Sequence, residues 1–265
     1  MDLSYAQKKE VYERGFVVVP GVVPKLMIDR ALREINHSLG EGLPKEQIIK
    51  MRSQSYCTEL QGTPHFKDLI NKTPALELCG SLLGKENVKP VGGAQIALRF
   101  PNLNEGPVKV GGGHIDGIYS PDNGVPKGEI HNFTMLAVVL LSDLPGPFCG
   151  NFTVWPGTHH KLEAYFREHG PESILNGMPK IEYPEPYQVI GKAGDVVFTH
   201  YQLAHTAAPN CSPHVRYATI YRINHAGRKG RHGVTEAMTD MWFEWEGLRE
   251  IVPARAAEPA KALAN

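Results

Sequence analysis

From residue 94 onward the apolar residues of this chain fall in runs of strand length, AQIALRF, FTMLAVVLL, NFTVW, YQVI, DVVFTHYQL and VRYATIYRI, set apart by segments rich in Gly and Pro. Strands that follow one another without helices between them do not wind into a parallel sheet, because each parallel pair needs a long crossover. A sandwich, jelly roll or barrel is the expectation. The 27 Gly and 21 Pro, nearly a fifth of the 265 residues, supply the turns such folds require. The first third reads differently. Ser4 is placed to cap a short helix that stops at Gly15, FVVVPGVV reads as a strand, and Pro24 opens a stretch with Leu26, Ile28, Leu32, Ile35 and Leu39 near helical spacing. A further helical stretch runs from about His65 to Leu83, broken at Pro74 and stopped at Gly84. Later, Thr158 is placed to cap a helix over KLEAYFREHG, and TDMWFEWEGL, residues 239 to 248, is a candidate for another. The predicted architecture is mainly β with peripheral helices.

Charge excludes several function classes. Lys plus Arg, 28, cancels Asp plus Glu, 28, so the chain lacks the bulk positive charge that holds nucleic acid or an anionic membrane. No apolar run approaches the roughly 20 residues a bilayer demands, and the opening MDLSYAQKKEVYERG is charged where a signal peptide is apolar. A cytoplasmic protein without nucleic-acid or membrane partners is expected. Cys57, Cys79, Cys149 and Cys211 form no C-x-x-C pair, which fits free thiols in a reducing compartment. The five N-x-S/T triplets are then chance. No period of 20 to 50 residues repeats and no linker divides the chain. One domain over 1–250 with a helical N-terminal part is expected, followed by a disordered tail at 251–265. Monomer and homodimer are equally open.

Two clusters carry chemistry. In GGGHIDG, residues 111 to 117, His114 and Asp116 are two apart, so on extended backbone they share a face and can grip one ion. In the segment from Gly194 to Ile223, a turn at Gly194-Asp195 feeds one strand and turns around Pro209-Asn210 and Ser212-Pro213 precede the next. This reads as a hairpin-like pair, with His205 and Arg216 on neighbouring strands facing one cavity. Two imidazoles and one carboxylate form the facial triad that leaves three sites open on ferrous iron, two for a bidentate 2-oxoacid and one for dioxygen. The distal carboxylate of such a co-substrate requires a fixed cation, and a planar guanidinium matches it better than an ammonium. Arg216 fills that role.

The order His114-x-Asp116, His205, then Arg216 eleven residues on resembles the phytanoyl-CoA dioxygenase family of iron(II)- and 2-oxoglutarate-dependent oxygenases. VYERGFVVVPGVV, GNFTVWPGTHH and AGDVVFTH are similar to further family segments, so the resemblance spans most of residues 9 to 224. It implies a double-stranded β-helix, a cupin-like jelly roll with helices packed outside. It implies His114, Asp116 and His205 as iron ligands, Arg216 as partner of the 2-oxoglutarate C5 carboxylate, and Gln95 as a polar contact to the co-substrate. The chain departs from the family pattern at Ala207, where many members carry Ser and only Thr206 beside it has a hydroxyl, and in MLAVVLL, where an aromatic is common. With Asp116 present the resemblance implies a hydroxylase or other oxygen-inserting enzyme, in which Fe(II), 2-oxoglutarate and dioxygen oxidise an unactivated C–H bond of a small molecule and release succinate and CO2; ring closure and desaturation stay open with the same ligands. A non-catalytic jelly-roll binding protein and a zinc-dependent hydrolase are the alternatives, since the same three ligands suit zinc.

Other features have plainer readings. His131, His159, His160, His200, His214, His225 and His232 read as solvent-facing loop histidines. Trp155, Tyr119, Phe133, Trp242 and Trp245 read as core or lid packing before cavity lining. The segment Tyr119 to Glu129 is placed to form part of an entrance.

Overall fold

In the computed structural model, which describes residues 1–102, 108–228 and 234–253, the helical lead-in follows its local signals. Helix α1 (Tyr5–Arg14) begins at a capping box, Gln7 N donating to Ser4 Oγ and Ser4 N to Gln7 Oε1, and ends at Gly15 with φ 85°. Strand β1 (Phe16–Val19) follows, then α2 (Lys25–Gly40), which buries Ile28, Ala31 and Ile35. Leu26 is 76% exposed, because its position in the first turn falls off that stripe. After the short α3 (Ile48–Ser53), the stretch predicted around Pro74 forms two helices, α4 (Pro64–Asn71) and α5 (Pro74–Leu83). Proline starts the second of them, with Thr73 capping Ala75 N.

Eight strands, β1 with β2 (Gln95–Arg99), β3 (Met135–Leu140), β4 (Phe152–Val154), β5 (Tyr187–Gln188), β6 (Val196–His200), β7 (His205–Ala207) and β8 (Arg216–Ile223), form two antiparallel sheets of a jelly roll. The larger has the order β1-β6-β3-β8-β2 and the smaller β5-β4-β7. Strand β3 explains why FTMLAVVLL is apolar without alternation. Met135, Ala137 and Val139 pack in the cluster that holds the helices, whereas Leu136, Val138 and Leu140 pack in the cluster between the sheets. Both faces are covered, as in any sheet coated on both sides. The first of these clusters runs from Leu3 to Leu248.

The jelly roll with helices packed outside is as expected, its helices accounting for 35% of residues and its strands for 18%. Three expectations are corrected. The run DVVFTHYQL is not one strand. It turns at Tyr201–Leu203, and β7 continues in the smaller sheet, so His205 and Arg216 lie on opposed sheets and form no hairpin pair. Helix α6 (Thr158–His169) is preceded by Gly157 in the left-handed region; Thr158 does not cap it, and its Oγ1 donates to Trp155 O and accepts from Ala204 N. TDMWFEWEGL contains only the end of α7 (Glu236–Thr239) and a 3-10 turn at Glu246–Leu248.

The histidines also divide. His159 and His200 are buried, not solvent-facing, because Trp242 and Trp245 of the C-terminal segment close over them. His214 is exposed, His131, His160 and His225 are half-buried, and His232 lies outside the described residues, as does the tail from 254. The four cysteines are free. Among the described residues no helix is long and apolar enough to cross a membrane.

Candidate metal centre

His114 and His205 face each other across an isolated antiparallel bridge, with His114 N donating to His205 O and His205 N to His114 O. Directly opposed residues project to the same side, so the two rings meet with centroids 4.8 Å apart. Asp116, two residues after His114, adds its carboxylate on that face. Its Oδ1 lies 3.6 Å from His114 Nε2 and 3.7 Å from His205 Nε2. The three ligand atoms form a group able to hold a metal ion.

Two of the three members are held by neighbours outside the cluster. His205 Nδ1 bonds Leu203 O at 3.0 Å; a carbonyl only accepts, so Nδ1 donates and the ring is fixed with Nε2 toward Asp116. Asp116 Oδ2 accepts from Arg222 Nη2 at 2.6 Å and Nε at 3.1 Å, leaving Oδ1 to face the imidazoles. Burial by itself would raise the Asp116 carboxyl, yet the Arg222 guanidinium, with hydrogen bonds from His114 and His205, holds it well below the usual carboxylate range. Gly117 makes the turn behind the cluster at φ 85°, where a Cβ would stand 2.4 Å from His131 O.

The cluster opens into a cavity of about 410 Å³ between the sheets. Along β8 the alternate residues Arg216, Ala218, Ile220 and Arg222 share a face, and three of them line this cavity, Arg222 beside the cluster and Arg216 at its far end. Arg216 is 5% exposed, donates Nε to Gly150 O and Nη1 to Ala97 O, and has no ion-pair partner among the described residues. Burial first, then the charge of Arg99, lowers its guanidinium to about 9. Arg99 is the register partner of Arg216 on β2 and lines the same cavity.

Of the predicted residues, the structure brings His114, Asp116 and His205 together and sets Arg216 in the same cavity. Gln95 lines it too, but its amide serves the protein: Oε1 accepts from Arg222 and Nε2 donates to Ser53 O. Thr206 and Ala207 both line the cavity beside His205, so the hydroxyl next to the distal histidine is that of Thr206. Of the five aromatics weighed as lining, only Tyr119 does so, with Ser120 and Asn123 of the expected entrance segment. Arg222, Arg99 and Arg52 were not foreseen. The signal for Arg222 was its even spacing of six from Arg216 in VRYATIYRI.

The fold and this cluster define a jelly-roll protein with the two-histidine, one-carboxylate centre of non-haem iron enzymes. The chain belongs to the phytanoyl-CoA dioxygenase (PhyH) family, which matches residues 11–218, and so to the class of iron- and 2-oxoglutarate-dependent enzymes. Solved structures agree in fold. HygX from Streptomyces hygroscopicus, with nickel and 2-oxoglutarate bound, aligns over 90% of this chain and 100% of its own at 18% identity and TM-score 0.55. The epimerase SnoN from nogalamycin biosynthesis aligns over 82% and 80% at 19% identity and TM-score 0.54. The carbocyclase SnoK of the same biosynthesis aligns over 90% of each chain at 20% identity and TM-score 0.52. No curated protein matches the chain in sequence.

Proposed function

We propose that this protein is a dioxygenase that uses ferrous iron and 2-oxoglutarate to hydroxylate an unactivated C–H bond of a small organic molecule, releasing succinate and CO2. The observation that carries the reading is the convergence of His114 Nε2, Asp116 Oδ1 and His205 Nε2 at one end of a cavity whose other end holds a buried guanidinium without an ion-pair partner among the described residues. Two imidazoles and one carboxylate are a donor set that suits ferrous iron and leaves coordination sites open. Bound there, iron and 2-oxoglutarate would supply the oxidation, coupling loss of CO2 from the co-substrate to attack on the C–H bond.

The chain's own residues then have distinct tasks. Arg216, fixed through Nε and Nη1 to two backbone carbonyls, presents Nη2 to the distal carboxylate of 2-oxoglutarate. Arg222 holds Asp116 by one oxygen so that the other faces the metal, and Gln95 holds Arg222. Leu136, Val138 and Phe152 give the cavity apolar walls that exclude water from the reacting centre. A zinc hydrolase would leave Arg216 without a role. The entire segment 1–250 is taken as one oxygenase domain, and the free cysteines support a cytoplasmic location.

His114→Ala and Asp116→Ala are expected to abolish substrate-linked succinate release and the visible absorption of the iron–2-oxoacid chelate. Turnover unchanged in both variants would end the proposal.

A further inference from the structure

The cavity that holds the metal cluster is lined by four guanidiniums, those of Arg52, Arg99, Arg216 and Arg222, and among the described residues by a single carboxylate, Asp116. They are graded from the inside outward: Arg216 is buried, Arg99 half-buried and Arg52 exposed on α3. Arg222 spends its charge on Asp116. Resting on the oxygenase reading, 2-oxoglutarate brings two carboxylates, one for the metal and one for Arg216. Arg99 and Arg52 then remain. Neither has an ion-pair partner among the described residues, and the protein contact of Arg99 is a donation from Nη1 to Leu98 O. Burial first and the charge of Arg52 next already lower the Arg99 guanidinium, so the two feel each other across the cavity wall. Like charges gathered in a partly buried cleft destabilise it unless an anion arrives, and the same field draws anions in.

We infer that the primary substrate is an organic acid, a carboxylate or phosphate ester, whose acid group is received by Arg52 and Arg99 at the outer part of the metal cavity. The body of such a molecule would lie along the apolar wall of Ile118, Leu136 and Val138, which leads from the arginines toward the cluster. An acid group at one end and a C–H bond at the other would place the reacting carbon over the metal while fixing the orientation, as a few polar groups do in most ligand cavities. Arg52 and Arg99 are thereby specificity-determining residues.

The test uses the full chain, loaded without oxygen with ferrous iron and saturating 2-oxoglutarate at constant ionic strength. Hexanoate and hexyl phosphate are compared with their neutral counterparts hexanamide and hexan-1-ol, and binding is read from the shift of the chelate absorption. The acids are expected to bind about tenfold or more tightly than the neutral probes, an advantage that falls below about threefold in Arg52→Gln and Arg99→Gln. The two acid arms identify which acid group is preferred. If Arg99→Gln fails to fold or to form the chelate, Arg52→Glu on its exposed helix carries the test, and there the acid advantage should vanish. Acids that bind no better than the neutral probes in the wild type, or an advantage that survives in the Arg52 variants, overturn the inference. Loss of the chelate band in the wild type itself is a separate result: it overturns the oxygenase reading and this inference with it.

Discussion

At Asp116 the two carboxylate oxygens have different partners, and that division organises the whole centre. Oδ1 faces two imidazole nitrogens, while Oδ2 is held by Nη2 and Nε of one arginine. Without Arg222 the carboxylate could rotate, and either oxygen would be free to turn from the metal. Partners of this kind outside the ligand set typically contribute 10–100-fold to metal affinity. Arg222→Met is therefore expected to weaken ferrous iron binding by about 10- to 100-fold in an anaerobic titration, with the melting temperature changed far less. Arg222→Lys should recover only part, since an ammonium cannot donate as a fork. Affinity equal to wild type in Arg222→Met would show that Asp116 holds its position unaided.

Among the elements, β8 and β2 place the cations of the site, and their close approach depends on a turn in another part of the chain. Arg99 and Arg216 are register partners, and Gly150, just before β4, sits against both. A Cβ there would stand 2.9 Å from Arg99 Cβ and 3.1 Å from Arg216 Cβ, at a φ of 75° that L side chains rarely adopt. Gly150 O also accepts the Arg216 Nε hydrogen bond. Gly150→Ala should cost about 1–3 kcal/mol of stability and, because it pushes on Arg216, should raise the Kd for 2-oxoglutarate as well. Thermal unfolding and an anaerobic co-substrate titration measure the two effects. A loss of stability with unchanged co-substrate affinity would separate the turn from the clamp.

The molecule as a whole is closed by its C-terminal segment, whose Trp242 and Trp245 cover His159 and His200 where α6 and β6 meet. His200 donates Nε2 to Met241 O and accepts Gln202 N at Nδ1, a pattern available only to the neutral ring. Burial above all pushes it down to about 3 from the ordinary 6.5, and burial together with His160 and His200 pushes His159 well below its usual range. As pH falls below 6.5 the unfolded chain takes up protons that the folded chain refuses, so stability is full above 6.5 and declines as pH drops toward 3. Melting temperature measured across that range should fall, and more gently in His200→Gln; an identical slope in the variant would remove His200 from the account. Much of this architecture was legible beforehand where it is local. Ser4, Gly15, Pro74 and Gly84 punctuate the helices where they were read to do so, because caps and breaks act within a turn of the chain. The unbroken apolar run of β3 marked a strand covered on both faces. His114-x-Asp116 and Arg216 were legible as chemistry from residue type and spacing. What no local pattern contained was which strands oppose one another: that β7 leaves the path of β6 for the other sheet, that Arg222 reaches Asp116 across 106 positions, and that two tryptophans bury two histidines. The sequence by itself determined the turns, the periodicities and the donor types, since these depend on neighbours along the chain. Only the tertiary structure decided which side chains meet, because a contact between segments about ninety residues apart is set by the packing of whole sheets and leaves no mark on either segment alone.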